Sequence, residues 1–168
     1  NKEFQTGIQN VVVSGMGGSV LASHIIKNLY KSELKVPFDV VSHYDLPNYV
    51  NENTLVILAS YSGTTEETLA SAKQAMAKNA KIMVITGGGP LADLATSNKW
   101  PMYKIDPKYN PSNQPRLAIG YAVVGQLVLL AKAGVLPDQN SELINLTSHL
   151  KEMCSELSPE VADNIAKN

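Results

Sequence analysis

A unit of three parts occurs three times along this chain: a short apolar run, a turn rich in glycine or hydroxyl residues, and a helical pattern. The apolar runs are uninterrupted and lie at 10–14, 54–59 and 81–86. Runs of this kind are typical of strands buried on both faces of a parallel sheet. Helices that follow such strands cross over with right-handed geometry and cover both faces. The repeated unit therefore predicts a doubly wound α/β fold.

Two further runs, 38–41 and 102–105, are weaker strand candidates that bring the predicted three-layer parallel sheet to about five strands. Helices are predicted from apolar spacing at 21–29, 65–79, 91–94, 116–133 and 141–157. At 168 residues with 44% hydrophobic content, the chain is large enough for one such domain without disulfides or a structural metal. We expect that domain to span residues 1–157 and residues 158–168 to begin a further helix.

The composition excludes several classes of function. The charges nearly balance, with 14 Lys and Arg against 15 Asp and Glu, and no basic run could follow a nucleic-acid backbone. Cys154 is the only cysteine, which excludes an intrachain disulfide and a Cys-Cys zinc pair. No apolar run approaches the roughly 20 residues of a membrane span, and no signal-peptide core is present. We therefore expect a soluble, cytoplasmic protein without nucleic-acid or membrane partners.

The turn at residues 60–65 has the strongest chemical signal in the sequence. It combines four Ser or Thr hydroxyls with Gly63, between a predicted strand and a helix start. Ligands of open parallel sheets bind outside the carboxyl ends of the strands, where the strand order reverses. Unpaired N–H groups and the dipole at a helix start bind anions, and short hydroxyls add donors. The turn therefore predicts a phosphate site.

Simpler interpretations of these turns stay open at this point. Thr64 and Glu67 have the spacing of a capping box, which begins many helices without any ligand. A cap uses one hydroxyl, however, so four favour anion binding. The glycine turn at 15–19 lacks the third glycine of the dinucleotide-binding pattern, because residue 20 is Val20, and it lacks the P-loop lysine. A tight strand-to-helix turn without a ligand explains it equally well.

Arg116 follows a proline-rich loop and begins the predicted helix 116–133. Its guanidinium stays charged and suits a sugar oxyanion or a phosphate, although a solvated arginine would also fit this position. The three histidines do not have metal-ligand spacing. The sequence therefore predicts no metal site.

Four segments together resemble the sugar isomerase (SIS) domain, and in particular the N-terminal domain of the bifunctional phosphoglucose/phosphomannose isomerase family. They are 11–19 with Gly-Met-Gly-Gly-Ser, 43–50 with Tyr-x-Leu-Pro, 55–68 with Ser-Tyr-Ser-Gly-x-Thr-x-Glu, and 115–121 with Pro-Arg. The hydroxyl motif is common to SIS domains, whereas the other three point to this isomerase family. The resemblance implies the SIS fold with a flavodoxin-like strand order.

The resemblance also implies a ligand and a reaction. The ligand is a sugar phosphate, namely glucose 6-phosphate, mannose 6-phosphate or fructose 6-phosphate. Its phosphate would bind the hydroxyl turn, through Ser60, Ser62, Gly63, Thr64 and Thr65. The sugar would face the glycine turn, at Gly17, Gly18 and Ser19. Arg116 resembles the catalytic arginine that stabilises an enediolate while a proton moves between C1 and C2, a reaction that uses neither metal nor organic cofactor.

Members of the resembled family have two SIS domains in tandem and form homodimers, and their catalytic glutamate and ring-opening histidine belong to the second domain. The resemblance therefore implies that this chain is the first half, that residues 158–168 begin the helix to the second half, and that the chain alone is inactive. One competing interpretation is a non-catalytic module that senses sugar phosphates in a regulator or aminotransferase. Another is a nucleotide-binding domain, because Asp45 lies near the position of a ribose-binding acid.

Overall fold

The structure, a computed structural model, describes residues 7–164. Its strands are β1 (Asn10–Gly15), β2 (Phe38–Val41), β3 (Thr54–Ser60), β4 (Lys81–Thr86) and β5 (Met102–Lys104). Its helices are α1 (Gly18–Leu29), α2 (Glu66–Ala77), α3 (Gly89–Ser97), α4 (Ile119–Lys132) and α5 (Asn140–Glu156). Two short 3-10 turns, Pro107–Tyr109 and Pro115–Ala118, precede α4.

All five strands are parallel, and their order across the sheet is β2-β1-β3-β4-β5. Along the chain, β2 is added on one side of β1, and β3 to β5 are added on the other side. The topological switch point therefore lies between β1 and β3. This arrangement confirms the predicted five-stranded α/β sheet with flavodoxin-like order. The two weaker candidates, 38–41 and 102–105, are both strands, and they form the two edges of the sheet.

Both faces of the sheet are buried, as the uninterrupted apolar runs predict. Val12, Val56 and Val84 pack with residues of α2 and α3 in one apolar cluster. Ile57 and Ile85, which directly follow Val56 and Val84, are also buried, and they point to the opposite face of the sheet. On that face α1 contacts β1, β2 and β3, α4 contacts β4, and the two helices contact each other. The result is the predicted arrangement of three layers.

Helix α1 buries a different face from the one that its largest apolar residues suggest. Leu21, Ile25 and Leu29 are exposed, although their spacing predicts the helix. The buried residues are Gly18, Val20, Ala22, Ser23 and Ile26. Most of these side chains are small, which lets α1 approach the sheet and α4 closely.

The predicted helix 116–133 is divided into the 3-10 turn Pro115–Ala118 and the helix α4. Pro115 occupies the first position of the turn, where its missing N–H costs no hydrogen bond. Within the described residues, Pro115–Lys132 is the one helical stretch long and apolar enough to cross a membrane, with a mean hydropathy of 1.2. This holds by length and composition only, and 39% of the stretch is buried inside the protein.

The described residues form two compact units that divide between Asp138 and Gln139. The first contains the sheet and α1 to α4, and the second contains α5, in which no residue is buried. The predicted extent of one domain over 1–157 stays a prediction. After α5 the described residues form turns as far as Asn164, and the rest of the helix predicted at 158–168 lies outside the described residues.

Candidate functional site

The turns after β1 and β3 lie side by side at the switch point. Gly15 and Ala59, near the ends of these strands, are paired in the sheet. One hydrogen bond joins the turns directly, because the Tyr61 amide donates to Ser19 Oγ at 3.2 Å. The structure thus brings together the two turns that the sequence predicts to contact a sugar phosphate.

Two hydroxyl pairs define the turn of residues 60–65, called here the hydroxyl turn. The inner pair is Ser60 Oγ and Thr65 Oγ1, 2.8 Å apart, and Ser60 Oγ also accepts from the Gly63 amide at 3.0 Å. The outer pair is Ser62 Oγ and Thr64 Oγ1, 2.9 Å apart. Ser60 is buried, whereas Ser62 and Thr64 are exposed. Because hydroxyls both donate and accept, the outer pair can rotate to donate to an anion.

Helix α2 begins directly after this turn, and no side chain caps its first N–H groups. Its N-cap is Thr65, whose hydroxyl bonds Ser60 instead of the helix. The capping box of Thr64 and Glu67 is not formed, so the interpretation of the turn as a cap alone is wrong. The unpaired N–H groups and the positive end of the helix dipole therefore lie at the turn. An anion binds to such an arrangement.

Two carboxylates, Glu66 and Glu67, occupy the first turn of α2. Tyr44 Oη donates to Glu66 Oε2 at 3.3 Å. The pKa of the Tyr44 hydroxyl is raised, mainly by the negative charge of Glu67 and to a smaller extent by desolvation. Gln74 fixes the loop of Tyr44 on α2, since its side chain accepts from Leu46 N at 3.0 Å and donates to Tyr44 O at 2.7 Å. Tyr44 therefore keeps its proton and supplies a donor for Glu66.

The turn after β4 supports the hydroxyl turn from the other side. The Gly87 amide donates to Tyr61 O at 3.0 Å, and the Leu91 amide donates to Gly63 O at 3.1 Å. Gly63 has a φ of +72°, and a Cβ at this position would overlap the carbonyl oxygen of Gly88. Both the backbone angle and the close approach therefore require glycine at position 63.

Arg116 lies against the glycine turn that begins α1. A Cβ on Gly18 would lie 2.9 Å from Arg116 N and 3.0 Å from Pro115 C, so glycine allows these two segments to meet. Gly17, the N-cap of α1, has a φ of +53° that also favours glycine. Arg116 is exposed and is the only arginine of the chain. Within residues 7–164 its guanidinium makes no ion pair, so it is available to a ligand.

Two hollows adjoin these turns and share Tyr61, Ile105 and Pro115. The smaller, of about 10 Å³, lies below the glycine turn and is lined partly by Gly18, Ser19 and Ser60. The larger, of about 420 Å³, is lined by Tyr61, Ser62, Gly87, Gly88, Ile105, Pro107, Asn113 and Pro115. A volume of this size falls within the range of small-molecule sites.

The described part of both hollows has no carboxylate or imidazole in its lining. Across residues 7–164 there is also no group of three or more His, Cys, Asp or Glu that could hold a metal ion. His24 and His43 are exposed, and His149 lies on α5 with Nδ1 4.0 Å from Glu152. The arrangement offers uncapped helix N–H groups, exposed hydroxyls and one positive charge, but the described lining of the hollows contains no candidate general base.

Asn110 organises the loop between β5 and Arg116, and the sequence analysis missed it. It is 3% exposed, and its Nδ2 donates to Tyr61 Oη at 2.9 Å and to Gln114 O at 3.0 Å. In the sequence it is one of several asparagines and prolines between 107 and 115, a composition typical of any loop. No local pattern separates a buried amide of this kind from exposed ones.

Comparison with known proteins identifies the family. The SIS domain profile matches residues 7–130. The chain belongs to the SIS-domain family. This SIS domain is 39% identical over 166 residues to a bifunctional phosphoglucose/phosphomannose isomerase of Caldicellulosiruptor bescii, across 95% of the chain and 47% of the relative. A D-glucosamine-6-phosphate 4-epimerase of Sulfolobus acidocaldarius is 29% identical over 158 residues, across 94% of the chain and 49% of the relative.

A solved structure agrees with this assignment. A Bacillus subtilis protein named as a candidate phosphosugar isomerase superposes on this SIS domain with a TM-score of 0.57 at 29% identity. The match covers 78% of this chain and 43% of the other. The chain spans about half the length of the curated relatives it matches. The resemblance on which the sequence analysis relied is therefore confirmed at the level of the family and the fold.

Proposed function

We propose that this SIS domain binds a sugar phosphate and serves as one half of an aldose-ketose isomerase. The substrates in this proposal are glucose 6-phosphate or mannose 6-phosphate, and fructose 6-phosphate. One observation carries the proposal: the hydroxyl turn, which leads into the uncapped start of α2, lies beside the glycine turn, and Arg116 packs against that glycine turn at Gly18. The isomerase name of the 39% identical relative supports the class of reaction.

The phosphate binds the hydroxyl turn in this proposal. The exposed hydroxyls of Ser62 and Thr64 donate to it, and the first N–H groups of α2 donate from the backbone. Ser60 and Thr65 form the inner pair, which fixes the turn and completes the cradle below the anion. Hydrogen bonds to a charged group each contribute about 1.5 to 3 kcal/mol, so this set is sufficient without a lysine.

The sugar faces the glycine turn and Arg116. Gly17, Gly18 and Ser19 form the side of the site that faces the sugar, and a Cβ on Gly17 would meet nothing within 4 Å, so the space beside it is open. As a proton moves between C1 and C2, negative charge develops on the sugar oxygens, and the fixed charge of Arg116 stabilises that enediolate. The proton acceptor must be another group, since no carboxylate or imidazole lines the described hollows.

We further propose that a second SIS domain supplies the general base and the ring-opening histidine. The relatives are about twice the length of this chain, which supports a second domain. In that protein residues 1–157 form the first domain, residues 158–168 lead to the second, and the full-length protein is a cytoplasmic homodimer. Glu66 and Glu67 are not the base, because carboxylates beside a bound phosphate would repel it.

Isothermal titration tests the ligand class. We expect fructose 6-phosphate to bind the purified chain, and fructose and AMP not to bind. Ser62→Ala should weaken fructose 6-phosphate binding by about 1 to 3 kcal/mol, because it removes a donor to a charged group. Ser97→Ala is the matched control, since Ser97 is an exposed serine at the end of α3.

Two results would contradict the proposal. Binding of AMP without fructose 6-phosphate would identify a nucleotide site. Equal affinity in wild type and Ser62→Ala would place the phosphate away from the hydroxyl turn. A sensing module would bind the same sugar phosphate, and catalysis by a two-domain form would exclude it.

A further inference from the structure

One side-chain amide bonds both the hydroxyl turn and the loop that ends at Arg116. Tyr61 belongs to the hydroxyl turn, and its phenol oxygen accepts from Asn110 Nδ2 at 2.9 Å. The same nitrogen donates to Gln114 O at 3.0 Å, two residues before Arg116. The hydroxyl turn and the loop before Arg116, which would contact opposite ends of a ligand, are therefore joined through the side-chain amide of Asn110.

The other hydrogen-bonding groups of Asn110 are used inside its own loop. Its Oδ1 accepts from Ser112 Oγ at 2.8 Å, and Ser112 Oγ accepts from the Gln114 amide at 3.3 Å. Its backbone amide donates to Pro107 O at 2.8 Å, and its carbonyl accepts from the Asn113 amide at 2.9 Å. Because Asn110 is 3% exposed, any rotation of the amide would leave buried polar groups unpaired. The loop is thus fixed in one conformation.

The position of this contact matters because the larger hollow lies between the same two segments. Tyr61 and Ser62 line one side of it, and Pro107, Asn113 and Pro115 line the other. A ligand that contacts both segments binds well only when their separation matches its length, since misplacement of a contact by about 1 Å is costly. The Tyr61–Asn110 hydrogen bond joins the two sides of this hollow.

We propose that Asn110 and Tyr61 are a positioning pair that sets the distance between the hydroxyl turn and Arg116. The proposal rests on the proposed function, because it concerns how the protein contacts both ends of one sugar phosphate. Neither residue touches the reacting atoms. The pair acts on the sugar end of the ligand, whereas the phosphate end depends on the hydroxyl turn alone.

Tyr61→Phe is the sharpest test, since it removes one oxygen and leaves the ring and the bonds of Asn110 to Gln114 and Ser112 in place. Tyr109→Phe is the matched control, because it makes the same change in the same loop at a 78% exposed residue. Asn110→Leu removes the donors to both segments without adding a charge. Each variant is titrated with fructose 6-phosphate and, separately, with inorganic phosphate.

We expect Tyr61→Phe to weaken fructose 6-phosphate binding about threefold to tenfold, the value of one ordinary hydrogen bond, without changing the affinity for inorganic phosphate. Asn110→Leu should have a larger effect in the same direction, and Tyr109→Phe should have none. Because Tyr61→Phe and the Asn110 variant both remove the Tyr61–Asn110 hydrogen bond, the double variant should weaken binding by less than the sum of the two single effects. Equal weakening for both ligands, or no weakening for either, would overturn the proposal.

A second measurement needs no ligand. Arg116 is the only arginine, so its Nε–H signal in a ¹H–¹⁵N spectrum can be assigned without ambiguity. In the free protein, the backbone amides of the non-proline residues between 111 and 117 should exchange faster in Tyr61→Phe than in Tyr109→Phe, and the Arg116 signal should shift only in Tyr61→Phe. Identical exchange and signals in the two variants would overturn the positioning pair. A wild type that binds neither ligand would instead contradict the proposed function.

Discussion

Ser60 and Ser62 belong to the same turn, yet their surroundings give them different tasks. Ser60 is 1% exposed, and its hydroxyl is used by the Gly63 amide and by Thr65. Ser62 is exposed, and its hydroxyl has partners only within the outer part of the turn. Loss of the Ser60 hydroxyl would therefore disturb the shape of the turn, whereas loss of the Ser62 hydroxyl would, under the proposed function, remove a donor to the phosphate.

Gly63→Ala tests whether the shape of the turn depends on glycine. A left-handed residue other than glycine costs about 1 to 3 kcal/mol, and here the Cβ would also overlap Gly88 O. We expect a loss of at least that size in the free energy of unfolding, measured in urea, and weaker fructose 6-phosphate binding.

The same substitution at another glycine is the control. Gly120→Ala lies in α4, where a Cβ meets nothing within 4 Å, and it should stabilise the protein by up to about 1 kcal/mol. If Gly63→Ala were as stable as the wild type, the argument from backbone angle and close approach would be wrong.

Buried side-chain hydrogen bonds join the strands and helices around the site, within otherwise apolar packing. Ser14 of β1 donates to Ser71 of α2 at 2.8 Å, and both residues are buried. Ser23 of α1 donates to Gln126 of α4 at 2.9 Å, also in a buried position. The first bond fixes the helix that begins at the hydroxyl turn, and the second fixes the two helices that flank Arg116.

The strands, the switch point and the hydroxyl turn could be predicted because each has a local signal. Buried parallel strands are apolar without interruption, and the chemistry of the turn is contained in six successive residues. The buried face of α1 could not be predicted, since Leu21 and Ile25 satisfy the same helical spacing as the true core residues. Asn110 was missed because its role depends on Tyr61, which lies 49 positions away in the sequence.

Tyr49→Phe tests a polar contact that joins three elements. Tyr49 Oη donates to Asp39 Oδ2 at 2.6 Å, and Lys27 Nζ lies 3.2 Å from Asp39 Oδ1. The Tyr49 hydrogen bond, with a smaller effect from Lys27, lowers the pKa of Asp39 below 3.8, and burial and Asp39 raise the pKa of Tyr49 to about 12. We expect the variant to lose about 0.5 to 1 kcal/mol of stability at pH 7, because the contact is partly exposed.

The pH dependence follows from the direction of these shifts. Stability from the charged form of Asp39 is present above its unfolded pKa of 3.8 and is lost as the pH falls through the lower folded value. Urea unfolding at pH 7 and pH 3 should therefore show a smaller difference between wild type and Tyr49→Phe at pH 3. Tyr109→Phe should match the wild type at both values, and an equal difference at both would contradict the assignment to Asp39.

At the scale of the whole molecule, the described residues provide hydroxyl and N–H donors at the start of α2 and the guanidinium of Arg116. The described lining of the hollows beside them contains no carboxylate or imidazole. Two of the isomerase relatives, 39% and 34% identical to this chain, are about twice its length. Under the proposed function, the chain alone should therefore bind substrate without converting it.

A chimaera tests this division directly: the aligned part of the Caldicellulosiruptor bescii relative is replaced by this chain. We expect the chimaera to interconvert glucose 6-phosphate and fructose 6-phosphate and the isolated chain to show no turnover. Arg116→Lys in the chimaera should lower kcat by about 10²-fold, because a lysine does not reproduce the planar guanidinium beside the developing charge. Lys132→Arg, at the far end of α4, should leave kcat unchanged. Turnover by the isolated chain would mean that the base lies within it, and an unaffected kcat in Arg116→Lys would remove Arg116 from the reaction.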